Sequence, residues 1–383
     1  MKATTPDGLR VLLVDTNPEG QRGSMALYGD MVIQAISVCG KGESVSIERL
    51  RLSLPGRFLD AIPRALRYRI NHLWMMLTAG LRLKKRNADI FHVLDGSYAY
   101  VVNSLRARPI IITVHDVIPA LQAMGSLSLP PGRSGQLIIG RSLKALEYAQ
   151  SIIAVSGNTA SDLGRVANVH AGRIRIVHSA VARYFTRPQD GTPIAQKRRS
   201  GKDAYILHVG NNAFYKNRIG VLRIFSLMSK ECDLTLKMAG PAAPEEMKAL
   251  ARRLGVSGRV EFVVDPGGEQ LAGLYRGASL FLFPSLYEGF GWPPLEAMAC
   301  GCPVVCSDAG SLPEVVGDAA LKCSPYDEET MAGNCMALLT DDKLAINLIQ
   351  RGYERSSEFT LGKMGGELVD VYEEACDRSA CTY

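Results

Sequence analysis

The sequence predicts an α/β protein made of two doubly wound, Rossmann-like domains that face a central cleft. Its 383 residues are more than one ordinary hydrophobic core accommodates. Short, continuous apolar runs alternate with helical segments in both halves, which is typical of parallel strands covered on both faces. A polar stretch with two prolines and two glycines, residues 184–203, separates the halves.

The first half begins with a strand, a glycine loop and a helix, the opening unit of a doubly wound domain. Residues 11–14 form the strand, Gly20 and Gly23 lie in the loop, and residues 24–37 form the helix. Further strands are predicted at 90–93, 110–114, 152–155 and 174–177, with a helix at 140–150.

The second half repeats this order after the polar stretch. Strands are predicted at 205–209, 234–238, 260–264, 280–283, 303–307 and 320–322, with a helix at about 218–229. We therefore divide the chain into a domain at 1–185, a linker at 186–203, a domain at 204–360, and a C-terminal helix at 361–383. We expect that helix to pack back on the first domain.

The positive charge of the chain is local. The net charge is +6, and residues 57–86 alone contain eight basic residues and one acid. So mild a total does not indicate a nucleic-acid-binding protein. The same stretch carries many leucines, so two interpretations stay open: a helix lying on an anionic membrane, or a core-facing helix with a solvated basic face.

The nine cysteines are interpreted as reduced, buried thiols. Their number is odd, and Cys300 and Cys302 are too close for the usual zinc-binding pair. The first residues lack an apolar signal core, and no apolar run approaches the roughly 20 residues that cross a bilayer. We expect a cytoplasmic protein, and the membrane interpretation of residues 57–86 would make it peripheral on the inner face of the cell membrane.

The most informative segment is residues 281–317. Gly289 and Gly291 allow a ligand to approach the backbone, and the helix that starts near Pro293 offers N–H groups to a diphosphate. Glu288 and Glu296, with seven residues between them, could hold two polyols such as a sugar and a ribose. The alternative is that Glu296, in the first turn, only complements the helix dipole and that Glu288 is solvated.

No metal site is predicted. No two aspartates are separated by one residue, so the usual Asp-x-Asp pair for Mg²⁺ or Mn²⁺ is absent from the sequence. Neither glycine loop reads G-x-G-x-x-G, which disfavours a dehydrogenase.

The segment EGFGWPPLEAMACGCPVV, followed by GSLPEVVGDAAL, closely resembles glycosyltransferase family 4, whose members are retaining enzymes of the GT-B fold. The resemblance is specific over about residues 200–325. It implies an N-terminal acceptor domain and a C-terminal nucleotide-sugar-binding domain. It also implies that Glu288 contacts the transferred sugar and Glu296 the ribose, and that amides of Phe290 and Gly291 hold the donor. Gly289 and Leu295 belong to the same donor-binding segment.

A second resemblance lies in the loop HVGNNAFYKN, which is similar to the glycine loop of the family. Lys216 matches the lysine that faces the diphosphate, and Gly210 and Asn211 lie beside it. Two departures matter, because Asn211 and Tyr215 stand where many members have arginine. Lys216 is the catalytic cation that the resemblance implies, with a plain surface lysine as the alternative.

A third resemblance is TVHDVIP at residues 113–119, an element of mannosyl- and related transferases of the family. It places His115 near the reaction centre. Asp116 either orients His115 or caps the following turn. Gly23 matches the N-terminal glycine loop loosely, and Glu314 is a further candidate on the nucleotide side.

These features predict a retaining, metal-independent hexosyltransferase without a cofactor. Its donor is a GDP- or UDP-linked sugar, with GDP-mannose favoured, and its acceptor is a glycan or a lipid-linked polysaccharide or lipopolysaccharide unit. The alternatives are a sugar-nucleotide epimerase of the same fold and a UDP-glucose-type glucosyltransferase. Residues 57–86 are the candidate contact with an anionic membrane, and no nucleic acid is expected as a partner.

Overall fold

The computed structural model describes residues 8–18, 24–105, 108–127, 132–185 and 204–380. The chain divides into two compact units. Unit 1 comprises Met1–Ala180 and Leu361–Tyr383, and unit 2 comprises Val181–Thr360. The predicted linker at 186–203 and the predicted loop glycines Gly20 and Gly23 lie outside the described residues.

Unit 1 contains a parallel six-stranded sheet in the order β2-β1-β3-β4-β5-β6. Its strands are β1 Leu9–Asp15, β2 Val45–Arg51, β3 Ile90–Val93, β4 Ile110–Val114, β5 Ser151–Ala154 and β6 Ile174–Ile176. Its helices are α1 Ser24–Val38, α2 Gly56–Asp60, α3 Arg64–Lys84, α4 Ile118–Ala123, α5 Arg133–Leu146, α6 Gly157–Val166 and α14 Leu361–Ala380. The strand order reverses between β1 and β3, where ligands bind in such sheets.

The central strands of unit 1 were predicted because both of their faces are covered. Every residue of β3, β4 and β5 is buried. The edge strand β2 was missed, because VSIERLR is largely polar and only its Leu50 is buried. The predicted helix at 140–150 is wrong in its bounds, since α5 begins at Arg133 and ends at Leu146.

Helix α14 is part of unit 1 although it follows unit 2 in the sequence. Its Tyr372 is fully buried, and the Tyr372 hydroxyl lies 2.8 Å from Nδ1 of His92 on β3. Nε2 of His92 lies 2.7 Å from the hydroxyl of Thr113 on β4. Burial lowers the pKa of His92 to about 3, so the ring is neutral. These hydrogen bonds tie α14 to the centre of the sheet.

Unit 2 contains a second parallel six-stranded sheet, in the order β12-β11-β10-β7-β8-β9. Its strands are β7 Tyr205–Val209, β8 Thr235–Gly240, β9 Val260–Val264, β10 Leu280–Phe283, β11 Val304–Ser307 and β12 Ala320–Cys323. Its helices are α7 Arg218–Met228, α8 Glu245–Arg253, α9 Gly268–Gly277, α10 Trp292–Ala299, α11 Leu312–Val316, α12 Glu328–Thr340 and α13 Asp342–Ser356. This is the strand order of the dinucleotide-binding fold, and it reverses between β7 and β10.

Two general features complete the fold. The eight cysteines within the described ranges are unpaired thiols, four of them buried. Among the described residues, no helix is both long and apolar enough to cross a membrane.

Candidate functional site

Glu288 and Lys216 meet at the point where the strand order of unit 2 reverses. Lys216 follows β7 and Glu288 follows β10, so neighbouring parallel strands deliver both side chains to one edge of the sheet. The Lys216 Nζ atom lies 2.7 Å from Oε1 and 2.8 Å from Oε2 of Glu288. Only 13% of the lysine side chain and 8% of the glutamate side chain is exposed. Glu288 is therefore a buried, paired carboxylate, and the solvated alternative is wrong.

The loop that carries Glu288 is held by serine hydroxyls. The Ser285 hydroxyl lies 2.6 Å from Oε1 of Glu288, and both side chains are buried. The Ser311 hydroxyl lies 2.6 Å from the carbonyl oxygen of Phe290 and 3.0 Å from that of Glu288. These contacts fix the backbone on both sides of Gly289. Neither serine was predicted as a site residue, although Ser285 stands two residues after a buried strand, where site residues are common.

Helix α10 begins at this loop through a glycine in the left-handed region. Gly291 has φ of 108° and precedes Trp292, the first helical residue. A Cβ atom at Gly291 would stand 2.7 Å from Leu312, so the position suits glycine in both conformation and space. Leu295 is fully buried and contributes packing through its side chain. The predicted supply of N–H groups at the start of this helix is wrong, because Pro293 and Pro294 have no N–H and the Leu295 amide donates to the Gly291 carbonyl.

Glu296 lies one residue further into the helix than the sequence predicted. It is the fifth residue of α10, so the expected first-turn position is wrong, because the helix begins at Trp292. The Tyr275 hydroxyl on α9 donates to Oε2 of Glu296 at 3.0 Å. Burial raises the pKa of Glu296 to about 7, while the Tyr275 hydrogen bond and the charge of Lys216 oppose this rise. Tyr275 was not predicted as a site residue, because its neighbours in the sequence do not indicate a contact with Glu296.

Residues 210–217 form a tight loop between β7 and α7, which we call the 210–217 loop. The Gly210 amide donates to the Ala239 carbonyl at 3.0 Å, and Oδ1 of the exposed Asn211 accepts from the Ala213 amide at 2.9 Å. Asn217 is left-handed, with φ of 50°, and its side chain caps α7 and donates to the Pro284 carbonyl at 3.0 Å. Asn217 thus ties the start of α7 to the end of β10, a role that the sequence did not reveal.

His115 lies in unit 1, directly after β4, and is buried. Its Nε2 lies 2.9 Å from the Leu94 carbonyl oxygen, so this nitrogen carries the proton and donates. The ring of Tyr28 meets it edge-on at 4.5 Å. Burial lowers the pKa of His115, although the charge of Asp95 and the bond to Leu94 oppose this. The imidazole is therefore neutral at pH 7.

The remaining candidates have local structural contacts. Oδ1 of Asp116 accepts from the Ile118 amide at 2.9 Å, which fits its turn-capping alternative. Glu314 is half-buried in the first turn of α11, and its carbonyl accepts from Arg355 at 2.6 Å. In the described ranges, no three His, Cys, Asp or Glu side chains cluster as a metal site would require. Metal independence stays a prediction.

Two family models match consecutive parts of the chain. One, described as Glycosyltransferase Family 4, matches residues 39–183. The other, described as Glycosyl transferases group 1, matches residues 192–355.

Two curated relatives are mannosyltransferases by name. The chain is 33% identical to O-antigen chain mannosyltransferase B from Escherichia coli over 236 residues, which are 60% of this chain and 62% of the relative. It is 29% identical to the serotype-specific mannosyltransferase WbdA from Escherichia coli over 259 residues, which are 65% of this chain and 31% of the relative. The match thus covers less than two thirds of either relative's length.

A solved structure supports the fold. Sucrose-phosphate synthase from Thermosynechococcus elongatus aligns with a TM-score of 0.75 at 19% identity, covering 95% of this chain and 98% of that one. The two sheets and these likenesses define a two-domain protein of the GT-B class, as predicted. Within that class, the two family-model matches and the two relatives support a mannosyltransferase-like protein of glycosyltransferase family 4.

Proposed function

We propose that this protein is a retaining, metal-independent hexosyltransferase that moves mannose from a nucleotide-diphosphate sugar to a hydroxyl of a glycan or lipid-linked acceptor. The buried Lys216–Glu288 pair at the strand-order reversal of unit 2 is the observation that carries this proposal. The matches to both glycosyltransferase family models support the class of reaction.

The chemistry follows from the charges at this edge of the sheet. The acceptor oxygen bonds to the anomeric carbon as the bond from that carbon to the diphosphate breaks. The bonding electrons leave with the nucleoside diphosphate, and the acceptor proton passes to a departing phosphate oxygen. Lys216 and the backbone amides of Phe290 and Gly291 stabilise the charge that grows on the leaving group. Glu288 holds hydroxyls of the transferred sugar, and Glu296 holds the ribose.

His115 is the proposed contribution of unit 1 to the reaction. The Nε2–H group of His115 donates a hydrogen bond to the Leu94 carbonyl oxygen. In the neutral imidazole, Nδ1 therefore carries no proton. We expect this histidine to lie near the transferred sugar, as the TVHDVIP resemblance implies.

Substitution of Glu288 tests the site. Glu288→Gln keeps the size of the side chain but removes the charge that Lys216 and the sugar hydroxyls share, so we expect transfer to fall by about a hundredfold or more. The measurement is the rate of nucleoside diphosphate release with a glycan acceptor. Nucleotide binding, followed by calorimetry, should change far less. Glu246→Gln, on the exposed face of α8, is the matched control. Full transfer activity of Glu288→Gln would refute the proposed role.

The identity of the donor sugar nucleotide is inferred from the two relatives. Both relatives are mannosyltransferases, which favours GDP-mannose over UDP-linked hexoses. A thermal-shift screen with GDP, UDP, GDP-mannose and UDP-glucose tests this choice, because a ligand that binds the folded state raises the melting temperature. A shift with UDP compounds alone would support the UDP-glucose alternative.

A surface on α3 is the proposed contact with an anionic membrane. Its leucines Leu66, Leu73, Leu77 and Leu81 are each 45–70% exposed and recur at helical spacing. Arg69, Lys84 and Lys85 flank them, whereas Arg82 donates to the carbonyl oxygens of Leu52 and Arg51. Apolar side chains rimmed by cations suit the headgroup region of an anionic bilayer.

The predicted binding is weak and salt-sensitive. We expect the protein to sediment with vesicles that contain phosphatidylglycerol at low salt, and not with phosphatidylcholine vesicles or at high salt. Leu77→Asp with Leu81→Asp should abolish sedimentation, whereas Leu227→Asp, at an exposed site in unit 2, should not. Absence of binding by the unaltered protein to anionic vesicles at low salt would contradict the proposal.

A further inference from the structure

Arg218 is a buried cation that lacks a full set of partners. It is the first residue of α7, and only 3% of it is exposed. Its Nη1 donates to Oδ1 of Asn212 and to the Pro241 carbonyl oxygen at 3.2 Å. Its Nε and Nη2 atoms are buried and have no hydrogen-bond partner within the described residues.

No carboxylate compensates this charge in the part of the chain that the structure describes. The nearby cation, Lys216, has Glu288 as its counter-ion, but no ion pair includes Arg218. Burial lowers the pKa of Arg218, yet a guanidinium keeps its proton at neutral pH. A buried charge without a counter-ion is unfavourable in the empty protein, so it indicates an anion that arrives from outside.

The position of Arg218 indicates where that anion binds. Its guanidinium contacts Asn212 in the 210–217 loop and Pro241 in the loop after β8, at the carboxyl ends of adjacent strands. The same end of the sheet carries the N-terminus of α7, an eleven-residue helix. His208, beneath Gly210, is neutral because burial lowers its pKa to about 3, and so it adds no charge.

We propose that Arg218 is a fixed positive charge beneath the 210–217 loop that stabilises the diphosphate of the donor bound on the outer side of that loop. This inference rests on the proposed function. Asn211 and Tyr215 carry no charge, so Lys216 is the cation within the loop itself. Arg218 supplies a second positive charge through the low-dielectric protein interior, where charges act over longer distances than in water.

Calorimetric titration of Arg218→Met and Arg218→Lys tests this. The ligands are GDP and UDP, the corresponding monophosphates and the nucleosides. We expect Arg218→Met to bind the preferred diphosphate about tenfold more weakly, with a smaller loss for the monophosphate and none for the nucleoside. Arg218→Lys keeps the charge and should retain most of the affinity. Arg223→Met, on the exposed side of the same helix, is the matched control.

The melting temperature without nucleotide gives an independent readout. Because Arg218→Met removes an uncompensated buried charge, it should melt no lower than the unaltered protein. A lower melting temperature with an equal loss of affinity for all ligands would show a structural role and overturn the inference. Undiminished binding of diphosphate by Arg218→Met would also overturn it and leave the proposed function standing. If the unaltered protein binds no nucleoside diphosphate, the proposed function fails as well.

Discussion

Burial of the Glu296 carboxyl makes the proposed binding of the nucleotide depend on pH. With its pKa raised to about 7, the group is largely protonated at pH 6 and largely ionised at pH 8. An ionised carboxylate accepts stronger hydrogen bonds from ribose hydroxyls than a protonated one. We therefore expect nucleotide affinity, measured by calorimetry, to rise from pH 6 to pH 8. Glu296→Gln should bind more weakly at pH 8 and show a flat profile.

The raised pKa of Glu296 predicts the opposite pH trend for stability, so the free energy of unfolding should fall as the pH rises. The folded protein holds the Glu296 proton more tightly than the unfolded chain, where the ordinary value is 4.5. This stabilisation is complete below pH 4.5 and is lost as the pH rises through about 7. Glu296→Gln should thus melt higher than the unaltered protein at pH 8.

Tyr275 tests the cause of the pH dependence. Because the Tyr275 hydroxyl lowers the pKa of Glu296, Tyr275→Phe should move the midpoint of the pH profile of nucleotide affinity upward. Tyr326→Phe, at a side chain that is 79% exposed, should not move it.

Individual site residues were predictable where they lie in a loop after a strand and match a motif of the family. Glu288 and Lys216 were both predicted, but not their direct contact, because they are 72 positions apart and pair only once β7 and β10 are neighbours. Tyr275 escaped prediction for the same reason, since its partner Glu296 lies on another helix. The proposed roles of these residues in transfer stay predictions.

At the scale of elements, short apolar runs decided what could be predicted, even for β9, in which no residue is fully buried. The bounds of β3, β4, β7, β9 and β10 agree with the predicted runs. The basic stretch was expected to be one helix but forms α2 and α3, separated by a turn that ends at Pro63. A proline inside a helix removes a backbone hydrogen bond and clashes with the preceding turn, so one helix cannot continue through Pro63, and α3 begins at Arg64.

Helix α14 offers a paired test of packing at adjacent glycines. A Cβ atom at Gly365 would overlap the backbone carbonyl of Ala35 on α1, whereas one at Gly366 would meet no atom within 4 Å. We expect Gly365→Ala to destabilise the fold by about 2 kcal/mol, because the two helices must separate. Gly366→Ala should stabilise it by about 0.5–1 kcal/mol, since alanine favours helix. Urea unfolding measures both, and equal effects would contradict the close approach of α1 and α14.

At the scale of the whole molecule, the sequence predicted two doubly wound domains, and the two parallel sheets agree with this. The amino-acid sequence could not reveal the order of the strands, because that order depends on how the connecting helices carry the chain across each sheet. The central cleft between the domains stays a prediction. The units themselves divide after Ala180 and after Thr360.

The return of the chain to unit 1 through α14 has a consequence for biosynthesis. A ribosome makes residues 1–180 first, but the helix that covers α1 emerges only after all of unit 2 has been translated. Unit 2 is one continuous segment, so its sheet can form while residues 1–180 still lack α14. The nascent protein therefore holds the apolar face of α1 uncovered for the time needed to synthesise 180 further residues, an interval in which chaperones can bind it.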